Sequence, residues 1–141
     1  MNPLVIDASV AIKWFIPEVH SDAARRLLDA PGPYVAPDLL FAETANVIWK
    51  KVRRGELTEG DGRRLVKDIC GLAIEAVPCR ALAVDAHALA SATGRTVYDA
   101  MYMALAVRLN TKLMTADDRL WNALRGNPML AAHIEHVGVG R

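Results

Sequence analysis

Short apolar runs separated by longer stretches with helical periodicity organise this chain of 141 residues. The runs at 4–6, 34–36, 76–77, 112–115 and 134–137 do not alternate apolar with polar positions. Strands of that kind are covered on both faces, so the pattern predicts a parallel sheet in an α/β layer fold. Helices are expected in the intervals. The first starts near Ser9 and stops before Pro17; the second spans about 21–30, bounded by the loop Pro31-Gly32-Pro33. A long helix opens at Pro37-Asp38, runs to about Arg54 and ends at Gly55, with basic residues in its last turns where cations suit the helix dipole. Thr58 with Asp61 three positions on resembles a capping box for a helix to about Ala73, although Gly60 and Gly62 weaken its first turn. Further helices are expected over about 81–92, 97–109 and 118–124. No internal repeat, low-complexity tract or linker interrupts the pattern.

Composition narrows the class. At 52% hydrophobic and 23% charged, residues 1–141 are expected to form one folded domain rather than a disordered chain. The longest uninterrupted apolar run, 100–107, falls well short of the roughly 18 residues that suggest a membrane span. The opening MNPLVIDAS has no basic stretch ahead of its apolar residues and does not read as a signal or transit peptide, so a cytoplasmic location is expected. Cys70 and Cys79 show neither a CxxC pattern nor a histidine spacing. Both are expected to be reduced residues in or near the core, with no zinc site and no disulfide framework.

The formal net charge of +1 would argue against a polyanionic partner, but the charges are segregated. Lys50, Lys51, Arg53, Arg54, Arg63, Arg64 and Lys67 face only Glu56, Glu59 and Asp61 within the same stretch. A positive face able to track a nucleic-acid backbone is one reading, and a solvated helix end is the other.

The acids carry the chemistry. Asp7 follows LVI where a parallel strand would leave the sheet, the end at which open α/β sheets bind ligands; it could equally cap the next helix. Asp99 is the only charged side chain in VYDAMYMALAV, where an uncompensated carboxylate is costly unless it serves as a first-turn acid. Glu43 shares a helical face with Leu39, Leu40 and Val47, or else pairs with Lys50 or Asn46. Asp117 and Asp118 follow KLMT at another strand exit, where either acid, or Thr115, could cap the following helix. If Asp7, Glu43, Asp99 and Asp117 converge, their mutual repulsion must raise their pKa values or be met by a cation. An all-oxygen set suits Mg²⁺ or Mn²⁺ over zinc. An acidic pit in an otherwise basic molecule suits phosphodiester chemistry.

VIDAS at the N-terminus, PDLLFAE, TVYDAMYMALA and MTADDRL, in that order, resemble the blocks of the PIN-domain ribonucleases, most of all the VapC toxins of type II toxin–antitoxin systems. The resemblance spans residues 5–120 and implies a three-layer α/β/α sandwich with a central parallel sheet. It also implies an Mg²⁺- or Mn²⁺-dependent endoribonuclease acting on RNA, a cognate antitoxin, a homodimer and a larger toxin–antitoxin assembly, with no membrane association. Carried over by position, the acidic site is Asp7, Glu43, Asp99 and Asp117. Ser9 and Thr115 are expected as outer-shell orienting hydroxyls. Asp118 either orients a metal-held water or only starts the last helix. Hydrolysis by a metal-activated water predicts 5′-phosphate and 3′-hydroxyl ends.

Other residues carry weaker expectations. Trp14-Phe15 is either an apolar surface for the antitoxin or core. Tyr98 and Tyr102 are expected to pack rather than stack on bases. His20, His87, His133 and His136 have no spacing relation to the acids. A phosphoacceptor receiver would need an acidic pair after the first strand, and a haloacid-dehalogenase-type phosphatase would need DxD where this chain has Asp7-Ala8-Ser9. Within the resemblance, the alternatives to a toxin are a housekeeping RNA-processing nuclease and a non-catalytic RNA-binding module.

Overall fold

In the computed structural model, which describes residues 3–29 and 32–139, five short strands form one parallel sheet. They are β1 (Leu4–Ile6), β2 (Tyr34–Pro37), β3 (Ile74–Val77), β4 (Leu113–Thr115) and β5 (Ile134–His136), in the spatial order β3-β2-β1-β4-β5. The helices are α1 (Ala8–Phe15), α2 (Ser21–Asp29), α3 (Leu39–Arg53), α4 (Glu59–Cys70), α5 (Cys79–Thr93), α6 (Val97–Arg108) and α7 (Asp118–Leu124). The expected last residue of the second helix, Ala30, and Pro31 of the following loop lie outside the described residues.

Strand order follows from the pattern of burial. Val5, Ile6, Val35, Ala36, Leu113 and Met114 are all buried, so the non-alternating runs sit in the middle of the sheet with both faces covered. β3 differs: Glu75 and Ala76 are exposed, as suits an edge strand. Helical crossovers carry the chain from β1 outward to β2 and β3 by way of α1–α4, then back past β1 to β4 and β5 by way of α5–α7. The chain therefore reverses its direction of travel across the sheet between β1 and β4, whose register pairs Val5 with Leu113. This is the expected three-layer α/β/α sandwich.

Helix starts and helix contacts obey separate local rules. The Thr58 hydroxyl accepts from the Asp61 N–H at 3.1 Å, as the capping box predicts, and Thr96 caps α6 in the same way through the Asp99 N–H at 3.1 Å. Gly62, a weakness by helix propensity, is required by packing: a Cβ there would lie 2.6 Å from Cγ2 of Val52. α3 and α4 can approach this closely only because residue 62 has no side chain.

One expectation needs correction, and the structure bears on two alternatives that the sequence leaves open. Cys70 is exposed, because α4 ends there and turns that side chain to solvent; Cys79 is half-buried against the core as expected, and both thiols are free. Trp14 is core, buried with its indole N–H donating to the carbonyl of Ala24 at 2.7 Å, so it offers no surface. Part of the basic stretch is engaged locally. Arg63 and Arg64 pair along α4 with Glu59 and Asp61, Arg53 stacks on Trp49, and Lys51 bonds Glu18. Among the described residues no helix is long and apolar enough to cross a membrane.

Candidate metal centre

Ligands in open α/β sheets bind outside the strand carboxyl ends at the point where the strand order reverses. Here that point is the exit of β1 beside β4, and an open cleft of about 430 Å³ lies over it. Asp7, Glu43, Asp99 and Asp117 all line it, brought from β1, α3, α6 and the β4–α7 junction. Ser9, Lys13, Glu18 and Lys50 share its walls.

Asp7 occupies the cap position of α1, yet its side chain makes no cap bond. Instead Oδ2 accepts from the Ser9 hydroxyl at 2.9 Å and the Thr115 hydroxyl at 2.8 Å. Those hydroxyls are themselves oriented from behind. The Ala116 N–H donates to Ser9 Oγ and the Asp117 N–H to Thr115 Oγ1, both at 3.0 Å, which directs each hydroxyl hydrogen toward Asp7. Ser9 and Thr115, expected as orienting groups, both bond the carboxylate of Asp7. Burial nevertheless raises the Asp7 pKa to about 6, against the pull of the two hydroxyl bonds and helped by the charges on Glu43 and Asp117.

Glu43 pairs with neither Lys50 nor Asn46. Its Oε1 accepts from the Tyr102 hydroxyl at 2.5 Å, a bond from α6 to α3. Burial pushes the Glu43 pKa upward, with the Tyr102 bond opposing and the Asp99 charge adding to the rise. Asp99 has its own counter-ion, as Arg95 Nη2 donates to Oδ2 at 2.9 Å from one turn earlier. Asp117 serves two roles: Oδ1 caps α7 by accepting the Arg119 and Leu120 N–H groups, at 2.9 and 3.2 Å, and the same carboxylate faces the cleft. In each of the four acids the protein engages one oxygen and leaves the other without a bonding partner among the described residues.

Tyr102 is buried as expected, although its hydroxyl does more than pack; Tyr98, also expected to pack, is instead 60% exposed. Asp118 separates from the acidic set. Its Oδ1 lies 2.8 Å from Nε2 of the buried His136, whose Nδ1 accepts the Gly138 N–H at 2.9 Å. With Nδ1 accepting, a neutral His136 ring carries its hydrogen on Nε2, where it bonds Asp118. His20 packs edge-on to His136 and so close to Gly138 that a Cβ there would meet its ring at 2.3 Å. Among the described residues, His20, Asp118 and His136 form the only three-donor group with ligand atoms within 4.8 Å of one another. Spacing along the chain carries no hint of this group, because the three come from the α1–α2 turn, α7 and β5.

Sequence reasoning also passed over Lys13 and Glu18. The signal was there for Lys13, the only charged residue in ASVAIKWF, just as Asp99 stood out in its own helix.

Residues 4–125 match the PIN domain family model. Over 119 residues the chain is 36% identical to Ribonuclease VapC3 of Pyrobaculum aerophilum, covering 83% of this chain and 91% of that protein. It is 33% identical over 117 residues to Ribonuclease VapC9 of Mycobacterium tuberculosis, covering 83% and 87% respectively. Two solved structures share the fold. PAE2754 from Pyrobaculum aerophilum superposes with a TM-score of 0.69 at 20% identity, over 96% of this chain and 84% of that one. A toxin–antitoxin complex from Klebsiella pneumoniae superposes with a TM-score of 0.64 at 16% identity, over 89% and 92%.

Proposed function

The chain belongs to the PIN-domain family, and from that premise we propose that it is a metal-dependent endoribonuclease, the toxin of a type II toxin–antitoxin pair. The observation that carries the chemistry is the convergence of Asp7, Glu43, Asp99 and Asp117 on one cleft at the strand-order reversal. The names of the VapC relatives and the toxin–antitoxin neighbour favour RNA as substrate, with a cognate antitoxin as partner.

The donor set fits Mg²⁺ or Mn²⁺. Four carboxylates each keep an oxygen free of protein bonds, and no cation offsets the rise in the Asp7 pKa. An all-oxygen donor set suits such an ion, which usually keeps several waters, so that some of these carboxylates would reach it through water. Asp7, Asp99 and Asp117 would hold it, with Glu43 completing or orienting the shell. When bound, such an ion supplies Lewis acidity toward the scissile phosphate and a nucleophile at neutral pH.

The chain's own residues supply the positioning. Ser9 and Thr115 fix Oδ2 of Asp7, so its other oxygen is the one presented. The α7 cap bonds hold Asp117, Arg95 steadies Asp99 and Tyr102 anchors Glu43. Such groups behind the ligands commonly matter about 10- to 100-fold in metal affinity or activity. No histidine reaches the cleft lining among the described residues, so proton transfer by imidazole has no place in this reading. We further expect a homodimer within a larger cytoplasmic toxin–antitoxin assembly.

The test is incubation of the purified chain with structured RNAs in Mg²⁺ or Mn²⁺ and then in chelator, beside an Asp99→Asn variant that keeps the shape and removes the charge. Metal-dependent cleavage lost in the variant, with 5′-phosphate ends, supports the reading. A cyclic phosphate product, or cleavage indifferent to chelator, overturns it.

A further inference from the structure

A buried ammonium needs compensation, and Lys13 in α1 finds an unusual form of it. Its side chain is 11% exposed, and Nζ lies 3.0 Å from Oε2 of Glu18. Lys51, near the end of α3 and 18% exposed in its side chain, places Nζ 3.1 Å from the other oxygen, Oε1. One carboxylate therefore bridges two largely buried ammonium groups, and the trio keeps one uncancelled positive charge. Burial opposes ionisation of Glu18, but the two lysines outweigh it and hold its pKa below the ordinary value.

The trio borders the cleft of the acids, with Lys51 behind Glu18 and outside the lining itself. Lys13 and Glu18 line the same cleft as the four acids, and so does Lys50, which has no ion-pair partner among the described residues. Lys13 and Lys51 pair with Glu18 and with none of the four acids. Burial, hydrogen bonds and other carboxylates set the balance at Asp7 and Glu43, and no cation enters it. The cleft thus has an acidic floor and, along the α1–α3 seam, a separate basic wall.

A phosphodiester offers what the Glu18 carboxylate offers, two anionic oxygens on one atom that can bridge two cationic donors. We propose that Lys13 and Lys51 form a subsite for a backbone phosphate of bound RNA next to the scissile one, and that Glu18 fills it as an internal anion until RNA displaces it. The proposal rests on the ribonuclease reading. It makes the α1–α3 seam the side from which the RNA chain enters, and it makes Glu18 a brake on binding.

The experiment measures binding of a fluorescein-labelled single-stranded RNA by anisotropy across a KCl series. The full chain is used in Mg²⁺, in the Asp99→Asn background so that the RNA survives. Loss of one phosphate-neutralising lysine should lower the slope of log affinity against log salt by about one. Lys51→Met and Lys13→Met are expected to bind several-fold more weakly with that shallower slope. Glu18→Gln is expected to bind several-fold more tightly with a steeper one. If Glu18 only staples the 16–20 loop, Glu18→Gln binds no better than its parent, and the internal-anion role is overturned. An unchanged slope in Lys51→Met overturns the subsite itself; that variant does not disturb α1 and so reports even if Lys13→Met fails to fold. Should the unmodified chain cleave RNA while these slopes stay fixed, the subsite alone is lost. Should it cleave no RNA in either metal, the ribonuclease reading falls first.

Discussion

The Thr115 hydroxyl donates to Oδ2 of Asp7 at 2.8 Å, linking the carboxyl ends of two neighbouring strands across 108 positions of sequence. Because the Asp117 N–H donates to the same hydroxyl, one small side chain connects the first acid of the cleft to the last. Removing it should act on both. Thr115→Val keeps the shape, takes the acceptor from the part-buried Asp117 N–H, leaves Oδ2 of Asp7 with Ser9 as its one donor, and should destabilise the fold by about 1–3 kcal/mol. Urea unfolding measures the loss, and cleavage should fall with it at fixed metal concentration.

Asp7 makes stability depend on pH in a definite direction. Its folded pKa, raised from 3.8 to about 6, means that ionisation of this buried group opposes folding. The penalty is absent below the unfolded value, grows as pH rises through the interval, and is complete above the folded value. At about 1.4 kcal/mol per pKa unit, the penalty reaches roughly 2–3 kcal/mol. In chelator, Asp7→Asn should therefore be more stable than the unmodified chain at pH 7.5, and the advantage should vanish near pH 4. Equal stability at both pH values would show that Asp7 is not desolvated.

Tyr102→Phe tests the link from α6 to α3. The ring is buried and its packing survives the change, so the fold should hold within about 1.5 kcal/mol. Glu43 loses its hydroxyl donor, and cleavage should fall about 10-fold or more, with a higher Mg²⁺ concentration needed for half-maximal rate. A metal titration of the cleavage rate separates this from a general loss of folded protein.

Adjacent acids should behave differently. Asp117 faces the cleft, so Asp117→Asn should abolish most cleavage, while Asn still caps α7. Asp118 is bonded to His136 away from the cleft lining, so Asp118→Asn should keep cleavage within a few-fold of the unmodified chain. Parallel rate measurements on the two variants decide whether the second acid of the pair belongs to the site.

Much of this was legible in one dimension. Non-alternating apolar runs identified the central strands buried on both faces, the edge strand β3 apart, and an acid isolated in an apolar helix, as at Asp99, announced a group needing compensation. Those signals are local, since burial on both faces and the cost of an unpaired charge act on each segment by itself. Contacts between segments were not legible. The sequence could not say whether Asp7 capped its helix or faced Thr115, that Tyr102 rather than Lys50 would reach Glu43, or that Asp118 would turn to His136. Nor did it relate Lys13 and Lys51 through Glu18. Each of these bonds joins different elements, so it exists only once sheet order and helix packing have set where the side chains meet. The sequence by itself determined which residues had to find partners; the tertiary structure decided which partners they found, because hydrogen bonds and ion pairs form over a few ångströms of space, whatever the distance along the chain.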